Sequence, residues 1–379
     1  RRSLHNTLQE LRGNIRVVAR LRGDGRRAKG GVTVLASKNA VVVKSPERAG
    51  VDGTPRAATK AAFTFDRAFG PAATQADVFE EVAELCQSAM DGYDVCILAY
   101  GATGSGKTFT MHGGAARGGP ADASDGIVPR ACAALAEAQR QLSAAGWNYD
   151  VAASCVEVYE ERLYDLLADE PVHLAQTQRP GAWGDDDDDA RGTYPLLEHA
   201  TWVQIAADDR SAIEALQARA RLARHTSATL LNNRSSRSHA VFTLRLRGEH
   251  AGRGETRLGS LVLVDLAGSE RVSRSGALAD DRQLREACAI NKSLSCLVDV
   301  FTALGPPAKG ATKPKHVPYR NSKLTLLLRR ALSGDGKTLL IATLSPDDEE
   351  LQQTTSTLRF AQHLSSIECG KPTKHATTA

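Results

Sequence analysis

The hydrophobic and polar positions of this chain predict strands and helices that alternate along most of its length. Strand-like runs, continuously apolar or alternating, cover residues 14–22, 40–44, 95–101, 151–159, 240–246, 260–266 and 339–344. Apolar residues at helical spacing cover residues 74–90, 129–145, 208–224, 283–304, 321–332 and 352–366. Such interleaving predicts one α/β domain, with a central mixed, mostly parallel sheet and helices on both faces.

The two ends of the chain lie outside this pattern. Residues 1–13 carry leucines at heptad spacing (Leu4, Leu8, Leu11) and predict the end of a coiled coil, although an ordinary amphipathic helix end also fits three positions. We expect residues 14–367 to form the folded domain and residues 368–379 to form a flexible tail. The first residue is Arg1 rather than Met, so we expect a piece of a longer protein.

Composition and charge are those of an ordinary folded protein. Of the 379 residues, 42% are hydrophobic and 24% are charged, and the formal net charge is +4. These values exclude a disordered, collagen-like or disulfide-dense chain. The seven cysteines are scattered through apolar stretches, so we expect reduced, buried thiols in a cytoplasmic protein. No apolar run of about 18 residues and no signal-like segment occurs, so no membrane partner is expected.

Two polar stretches predict surface loops. Residues 112–125 are rich in glycine and alanine, and residues 175–192 interrupt the strand and helix pattern a second time. The second stretch contains five consecutive acids, Asp185–Asp189, which are typical of a solvated insertion.

The strongest motif is a glycine-rich segment that follows the apolar run at 95–100. Residues 101–108 are GATGSGKT and satisfy the pattern G-x-x-x-x-G-K-[ST]. In this pattern backbone N–H groups and the N-terminus of the next helix surround a β-phosphate. The lysine bridges the β- and γ-phosphates, and the hydroxyl after it ligates Mg²⁺. The sequence therefore predicts a nucleotide site formed by Gly101, Ala102, Thr103, Gly104, Ser105, Gly106, Lys107 and Thr108.

Two further segments carry groups that sense a γ-phosphate. Asp265 and Gly268 form a D-x-x-G turn after a buried strand, in which the aspartate holds Mg²⁺ through water and the glycine N–H contacts the γ-phosphate. Residues 232–239, NNRSSRSH, combine hydroxyl, amide and guanidinium groups suited to metal, phosphate and attacking water. A guanine site would carry N-K-x-D, whereas residues 291–294 are NKSL, so ATP is favoured.

Five segments, in this order, resemble the kinesin motor domain over about residues 14–367. They are GATGSGKTFTM (101–111), NNRSSRSH (232–239), DLAGSER (265–271), NKSLS (291–295) and HVPYRNSKLT (316–325). The resemblance implies the kinesin motor fold, a single P-loop NTPase domain. It also implies a microtubule-stimulated ATPase that uses ATP or ADP with Mg²⁺. Within that family the first three segments are the P-loop, switch I and switch II.

The resemblance assigns roles to single side chains. The switch I residues that would contact the γ-phosphate, Mg²⁺ and the lytic water are Asn232, Ser235, Ser236 and Ser238, and the metal would lie with Thr108, Ser238 and Asp265. Arg237 and Glu270 would pair across the two switches when ATP is bound. Arg20 and Phe109 would frame the adenine. The sequence offers no strong general base, which suits phosphoryl transfer by positioning and charge.

Several positions depart from the family pattern. The adenine-side motif R-x-R-P ends here in Gly23, which predicts a looser wall of the base pocket. Ala102 replaces the usual glutamine inside the P-loop, and little loss is expected because the cradle is backbone. Tyr164 stands where many relatives place an arginine against tubulin, and the loop after Glu270 is about two residues longer than in common relatives.

A basic segment is the predicted contact with the acidic microtubule surface. Residues 313–330 carry six lysines and arginines and no acid. By charge alone a solvated basic helix is as good an interpretation, and the HVPYRNSKLT segment favours tubulin. No zinc-finger, RRM or helix-turn-helix signature occurs, so nucleic acid is not an expected partner. The predicted microtubule contacts are Lys292, Lys313, Lys315, Arg320 and Lys323.

The start of the chain resembles the neck of the minus-end-directed, C-terminal-motor (class fourteen) kinesins. By this resemblance residues 1–13 are the neck helix, and Gly13 and Asn14 form a junction that sets direction. A plain helix C-cap is the alternative for these two residues. The residues after Ile367 do not resemble the neck linker of plus-end motors.

The same resemblance carries expectations for assembly and location. We expect a homodimer or heterodimer through an upstream coiled coil in the full-length protein, and a monomer for this piece. The expected location is the cytoplasm and the microtubule cytoskeleton, with the spindle as one such place. The alternative function is a microtubule tether that holds nucleotide without turnover, and the complete motifs favour an active ATPase.

Overall fold

The computed structural model describes residues 14–23, 31–45, 48–49, 55–56, 58–114, 123–168, 172–174, 195–205, 215–216, 218–220, 236–270, 281–305, 316–333, 335–367 and 372–378. The strands are β1 (Ile15–Leu21), β2 (Val32–Leu35), β3 (Ala40–Ser45), β4 (Arg48–Ala49), β5 (Pro55–Arg56), β6 (Thr59–Thr64), β7 (Arg67–Phe69), β8 (Asp94–Tyr100), β9 (Asn148–Tyr159), β10 (Arg162–Asp165), β11 (Val172–His173), β12 (Val203–Gln204), β13 (His239–His250), β14 (Glu255–Asp265), β15 (Lys337–Leu344) and β16 (Ala376–Thr378). The α-helices are α1 (Gln75–Met90), α2 (Lys107–His112), α3 (Ile127–Ser143), α4 (Asp281–Leu304), α5 (Lys323–Leu327) and α6 (Leu351–Ser365).

One large sheet organises the described part of the chain. Its strands follow the order β11-β10-β9-β13-β14-β8-β15-β1-β7, with β12 paired to β9 and β16 paired to β14. The neighbours β14, β8, β15, β1 and β7 run parallel, whereas β9 and β13 join the sheet in antiparallel pairs. The predicted mixed sheet is confirmed. Its parallel part brings the carboxyl ends of β8 and β14 together, with Asp265 opposite Ala99.

Helices cover both faces of this sheet, as predicted. Successive side chains of a strand point to opposite faces. In β8, Cys96 and Leu98 belong to one buried cluster, and Val95, Ile97 and Ala99 belong to another. The first cluster contains side chains of α4, α5 and α6, and the second contains side chains of α1, α2 and α3. Burial on both faces explains why β8 is continuously apolar rather than alternating.

The ends of the helices follow local signals in one case and packing in another. Thr74 and Asp77 form a capping box that starts α1, since each side chain accepts a hydrogen bond from the backbone N–H of the other. The helix predicted over 321–332 is wrong beyond Lys323–Leu327. Residues 328–332 continue as turns, in which Leu328 and Leu332 are buried. The helix predicted over 208–224 lies largely outside the described residues.

The C-terminal segment belongs to the sheet. β16 pairs antiparallel with the start of β14, with Ala376 opposite Arg257. The backbone of His375 donates to Gly92 O at 2.8 Å and accepts from Leu258 N at 3.0 Å. The prediction of a flexible tail over residues 368–379 is therefore wrong for residues 372–378. The physical reason is that β14 begins before its neighbour β8 and leaves a strand edge with unpaired backbone groups.

Most of the described cysteines are buried, as predicted. The buried ones are Cys86, Cys96, Cys132, Cys155 and Cys296. Burial raises the pKa of the Cys86 and Cys132 thiols to about 12, so both stay protonated at neutral pH. Cys288 on α4 is exposed, which the sequence pattern did not indicate.

Helix α4 combines an apolar stretch with a place in the core. Among the described residues, Leu284–Leu304 is long and apolar enough to cross a membrane by length and composition. Its side chains at Leu297, Val300 and Phe301 are fully buried in the first cluster. This stretch therefore packs as a core helix of the domain.

Candidate nucleotide site

The predicted phosphate loop joins β8 to α2 at the carboxyl edge of the sheet. Gly104 and Gly106 have φ values of +80° and +102°, which glycine adopts without the steric cost that a Cβ would bring. Gly106 is also the N-cap of α2, so the loop turns directly into the amino end of a helix. The hydroxyl of Ser105 lies 2.7 Å from that of Thr343 at the end of β15 and ties the loop to the next strand.

Lys107 lies inside this loop. Its Nζ donates to the carbonyl oxygens of Gly101 at 2.9 Å and of Ala102 at 2.8 Å, and the residue is 7% exposed. The backbone of Ala102, not its side chain, makes this contact. An ammonium group held by loop carbonyls is placed to exchange them for phosphate oxygens, which bind the charge more strongly.

Thr108 and Asp265, two of the predicted metal ligands, lie in direct contact. The Thr108 hydroxyl donates to Asp265 Oδ2 at 2.8 Å, so the start of α2 and the end of β14 meet. Ser238, the third predicted ligand, is fully buried. Hydroxyl and carboxylate oxygens are the donors that Mg²⁺ prefers, together with water and phosphate. These residue types and this contact fit a magnesium ion whose coordination shell a nucleotide would complete.

The D-x-x-G turn contacts both the loop and switch I. Gly268 N donates to Ser236 O at 2.9 Å, and Ser269 N donates to Gly101 O at 3.1 Å. A Cβ on Gly268 would lie 2.3 Å from the Thr103 hydroxyl, so a larger residue here would displace the Thr103 and Glu270 side chains. Thr103 in turn donates its N–H and its hydroxyl to the carboxylate of Glu270. The turn is thus packed against the loop that would hold the phosphates.

Arg237 is engaged by a residue that sequence analysis missed. Its guanidinium donates to Glu286 of α4, and the other carboxylate oxygen of Glu286 accepts from the Tyr159 hydroxyl. In this structure Arg237 and Glu270 therefore have separate partners, whereas the predicted pair belongs to the ATP-bound state. The only sequence signal for Glu286 is an acidic residue beside the NKSLS segment, on a helix with many buried apolar positions.

His239 joins three parts of the site. Its Nδ1 accepts from Ala267 N at 3.0 Å, so Nε2 carries the proton of the neutral ring and donates to Ser293 Oγ at 2.8 Å. The Ser293 hydroxyl then donates to Ile290 O at 2.8 Å. Switch II and α4 are therefore linked through one buried imidazole that follows the switch I serines.

The predicted adenine side lies beside α2. Arg20 is buried and donates to Gln75 Oε1 at 2.8 Å and to the Thr110 hydroxyl at 3.0 Å, with its guanidinium 5.4 Å from the centre of the Phe109 ring. Burial lowers the pKa of Arg20 to about 10, which leaves it charged at neutral pH. Phe109 is 45% exposed, so its ring offers a surface for stacking.

Gly23 lies close to the backbone of Pro71. A Cβ at this residue would lie 2.3 Å from the carbonyl oxygen of Pro71. The backbone of Pro71 therefore occupies the volume next to Gly23, and the looser wall of the base pocket stays a prediction. Here glycine permits a close approach of two backbone segments.

The family model for the kinesin motor domain matches residues 27–367. The chain belongs to the kinesin motor domain family. Kinesin-like protein KIN-14N of Oryza sativa subsp. japonica is 41% identical over 98% of this chain. This confirms the resemblance to class fourteen.

Solved structures agree with this assignment. The structure of a fast kinesin matches with a TM-score of 0.76 and 33% identity, over 96% of this chain and 94% of that chain. The C-terminal motor and motor homology domain of Kar3Vik1, fused to a synthetic heterodimeric coiled coil, matches with a TM-score of 0.73 and 34% identity, over 96% and 88%. The chain spans 46% of the rice relative, about half the length of the curated relatives it matches.

The basic segment of this kinesin motor domain is only partly described. Lys292 and Arg320 are exposed and Lys323 is half-buried, whereas Lys313 and Lys315 lie outside the described residues. Arg330, from the same basic stretch, is paired with buried Asp94 at 3.0 Å and is structural. The predicted residues Gly13, Asn232 and Ser235 and the acidic run Asp185–Asp189 also lie outside the described residues.

Glu161, in the turn between β9 and β10, contacts the start of the short helix α5. Glu160 and Glu161 form the turn between β9 and β10 with φ values of +48° and +59°. The Glu161 carboxylate accepts a hydrogen bond from Lys323 N at 2.9 Å, which satisfies a backbone donor at the helix start. Half-buried Lys323 of the basic segment is thus held against the turn between β9 and β10.

Proposed function

We propose that this chain is the motor part of a microtubule-stimulated ATPase. The observation that carries the proposal is the Thr108–Asp265 hydrogen bond of 2.8 Å, since it joins the phosphate loop to the turn that would sense a γ-phosphate. A site built only to hold ADP needs the loop but not this second element. Family membership supports the same activity.

The proposed chemistry is in-line attack of water on the γ-phosphate of ATP. Lys107 bridges the β- and γ-oxygens, while Gly268 N–H and the serines of switch I orient the γ-phosphate and the water. Thr108, Ser238 and Asp265 would hold Mg²⁺, which neutralises phosphate charge when bound. Arg20 and Phe109 flank the base. The switch I residues assigned these contacts are Asn232, Ser235, Ser236 and Ser238.

In the reactive state Arg237 and Glu270 pair with each other. This closure stabilises the arrangement in which charge moves onto the leaving phosphate, so it contributes to rate more than to nucleotide affinity. The partners that both residues have in the structure are exchanged in this step.

The proposed track contact is the basic segment together with α4. The contacting cations are Lys292, Lys313, Lys315, Arg320 and Lys323. Exposed Arg320 and Lys292 support this assignment, since an acidic lattice attracts cations that water can reach. We propose that the protein acts on cytoplasmic microtubules, including those of the spindle.

Direction is proposed from class and from the chain layout. Residues 1–13 serve as the neck, residues 14–367 as the motor domain, and Gly13 with Asn14 as the junction that sets minus-end travel. Asn14 is 5% exposed, and its carbonyl accepts a hydrogen bond from Thr338 N at 2.7 Å, which supports a fixed junction. The full-length protein dimerises through the coil upstream, with a like or an unlike partner.

Phosphate release with and without microtubules tests the ATPase. We expect release that rises on addition of microtubules and that is abolished in Lys107→Ala, which removes the bridging charge. A chain that binds nucleotide but releases no phosphate in either condition would be a tether instead. Near-normal turnover in Lys107→Ala would place the catalytic site elsewhere.

A gliding assay tests direction. With the upstream coil restored, polarity-marked microtubules should move with their plus ends leading. Replacement of Gly13 and Asn14 should disturb this direction while stimulated phosphate release continues. Minus ends leading in the unmodified protein would contradict the proposed direction.

A further inference from the structure

Glu286 of α4 lies among the switch contacts although no sequence motif marks it. Its side chain is 3% exposed. One carboxylate oxygen accepts from Arg237 and the other accepts from Tyr159. A buried carboxylate keeps its charge only where an opposite charge and hydrogen bonds replace the lost water. Arg237 supplies that charge, so the two residues stabilise each other in the present arrangement.

We infer that Glu286 is a positioning residue that holds Arg237 away from Glu270, so that the switches close only when this pair opens. The inference rests on the proposed function, because it concerns the closure step of that reaction. In the structure the Arg237 guanidinium is engaged by Glu286, while both carboxylate oxygens of Glu270 are engaged by Thr103. Closure therefore exchanges one set of charge-assisted hydrogen bonds for another. The Arg237–Glu286 pair sets how often the switches close without microtubules.

Glu286 itself and one of its contacts, Tyr159, lie on elements that reach the proposed track face. Further along α4 is exposed Lys292, so a displacement of this helix on the lattice also displaces the Glu286 carboxylate. Tyr159 ends β9, and the turn that follows it carries Glu161, whose carboxylate accepts from Lys323 N at 2.9 Å. A microtubule can therefore weaken the hold on Arg237 from either side, which couples track binding to hydrolysis.

The test is single-turnover ATP hydrolysis in Glu286→Gln, measured without and with microtubules. Glutamine keeps the shape and an acceptor for Tyr159 but removes the charge that holds Arg237. A hydrogen bond to a charged group corresponds to about a tenfold shift in population, so we expect a basal rate about tenfold higher. The stimulated rate should stay near that of the unmodified chain, so the stimulation ratio falls. Single turnovers are used because product release limits many steady-state rates.

Two further variants separate positioning from simple support of the fold. Tyr159→Phe removes one hydrogen bond to Glu286 and should raise the basal rate by a smaller factor, and it remains available if Glu286→Gln does not fold. In the Glu270→Ala background, Glu286→Gln should produce no basal increase, since Arg237 then has no partner to close onto. The control is Glu249→Gln, which removes an exposed carboxylate paired with Arg247 and should leave all rates unchanged.

An unchanged or lower basal rate in both Glu286→Gln and Tyr159→Phe would overturn the inference. An increase that persists in the Glu270→Ala background would also overturn it, because Glu286 would then act by another route. If the unmodified chain shows no stimulation by microtubules, the proposed function fails instead. In that case the basal rates of the variants still test the hold of Glu286 on Arg237.

Discussion

Asp94, at the start of β8, is the centre of a buried ionic cluster that joins the C-terminal strand to the sheet. Its side chain is 5% exposed and contacts Arg330 Nε at 3.0 Å, His375 Nε2 at 3.4 Å and the hydroxyl of Ser260. Burial alone would raise the pKa of Asp94. The hydrogen bond with His375 and the positive charge of Arg330 outweigh burial, so the net shift of this pKa is downward.

Removal of this charge by Asp94→Asn should strongly destabilise the fold. Arg330, whose side chain is 14% exposed, would lose its counter-ion, and breaking a buried pair in this way costs about 3–5 kcal/mol. The measurement is urea unfolding at pH 7, followed by circular dichroism. Glu249→Gln is the matched control. It removes the exposed Glu249–Arg247 pair, whose loss should cost less than about 1 kcal/mol. A cost below about 1 kcal/mol for Asp94→Asn would refute the reasoning, since the cluster would then act like a surface pair.

The pH dependence of the unfolding free energy gives an independent check of the direction of the Asp94 pKa shift. A carboxyl whose pKa is lowered by folding stabilises the fold above its unfolded pKa, about 3.9 for aspartate. That contribution is lost as the pH falls through the lower, folded pKa. The difference in unfolding free energy between the unmodified chain and Asp94→Asn should therefore shrink in acid. Repeating the comparison in a chain that ends at residue 371 removes His375 and should reduce the cost of the substitution. An equal cost in both chains would mean that the tail does not stabilise the cluster.

Three further predictions concern the nucleotide site and the basic segment. Glu270→Ala should leave the affinity for an ATP analogue within about twofold and lower stimulated kcat by orders of magnitude; a parallel loss of both would mean that Glu270 supports the fold. Charge reversal of Arg320 and Lys323 should weaken microtubule co-sedimentation but not the basal rate. The affinity of the unmodified chain for microtubules should fall steeply as salt is added, because exposed charges are screened beyond about 8 Å at physiological ionic strength. Gly23→Ala should lower the free energy of unfolding by about 1–3 kcal/mol, because its Cβ would overlap a backbone carbonyl; an unchanged melting temperature would contradict this.

The phosphate site can be located from the sequence because its determinants are local. The residue types at 101–108 fix a glycine-rich turn between a strand and a helix, and the structure has that turn between β8 and α2. Long strands such as β9 and β14 are also evident, since each buries a nearly continuous apolar run. The run predicted at 151–159 lies within β9, and the run predicted at 260–266 overlaps β14 up to Asp265, so the errors lie at the strand ends.

The elements that sequence analysis missed depend on contacts between distant segments. β6 exposes five of its six residues and so lacks the alternation that would mark it as a strand. β16 forms because β14 extends past β8, and no pattern within residues 376–378 indicates this. The partner of Arg237 belongs to the same category. Glu286 is far from switch I in sequence, and only the packing of α4 against β9 brings the two together.

Strand β15 connects the two ends of the sheet on which the proposed function depends. At its carboxyl end the Thr343 hydroxyl contacts Ser105 of the phosphate loop at 2.7 Å. At its amino end Thr338 N donates to Asn14 O at 2.7 Å, and Asp335, just before the strand, accepts from Thr373 N at 2.8 Å. All eight residues of β15 are buried between paired neighbours, so we expect the strand to resist bending. We therefore expect a displacement of the phosphate loop to reach the proposed neck junction and the C-terminal segment together. A neck that swings from Asn14 must accordingly move relative to β15, and the C-terminal segment also contacts the chain just before this strand, through Thr373.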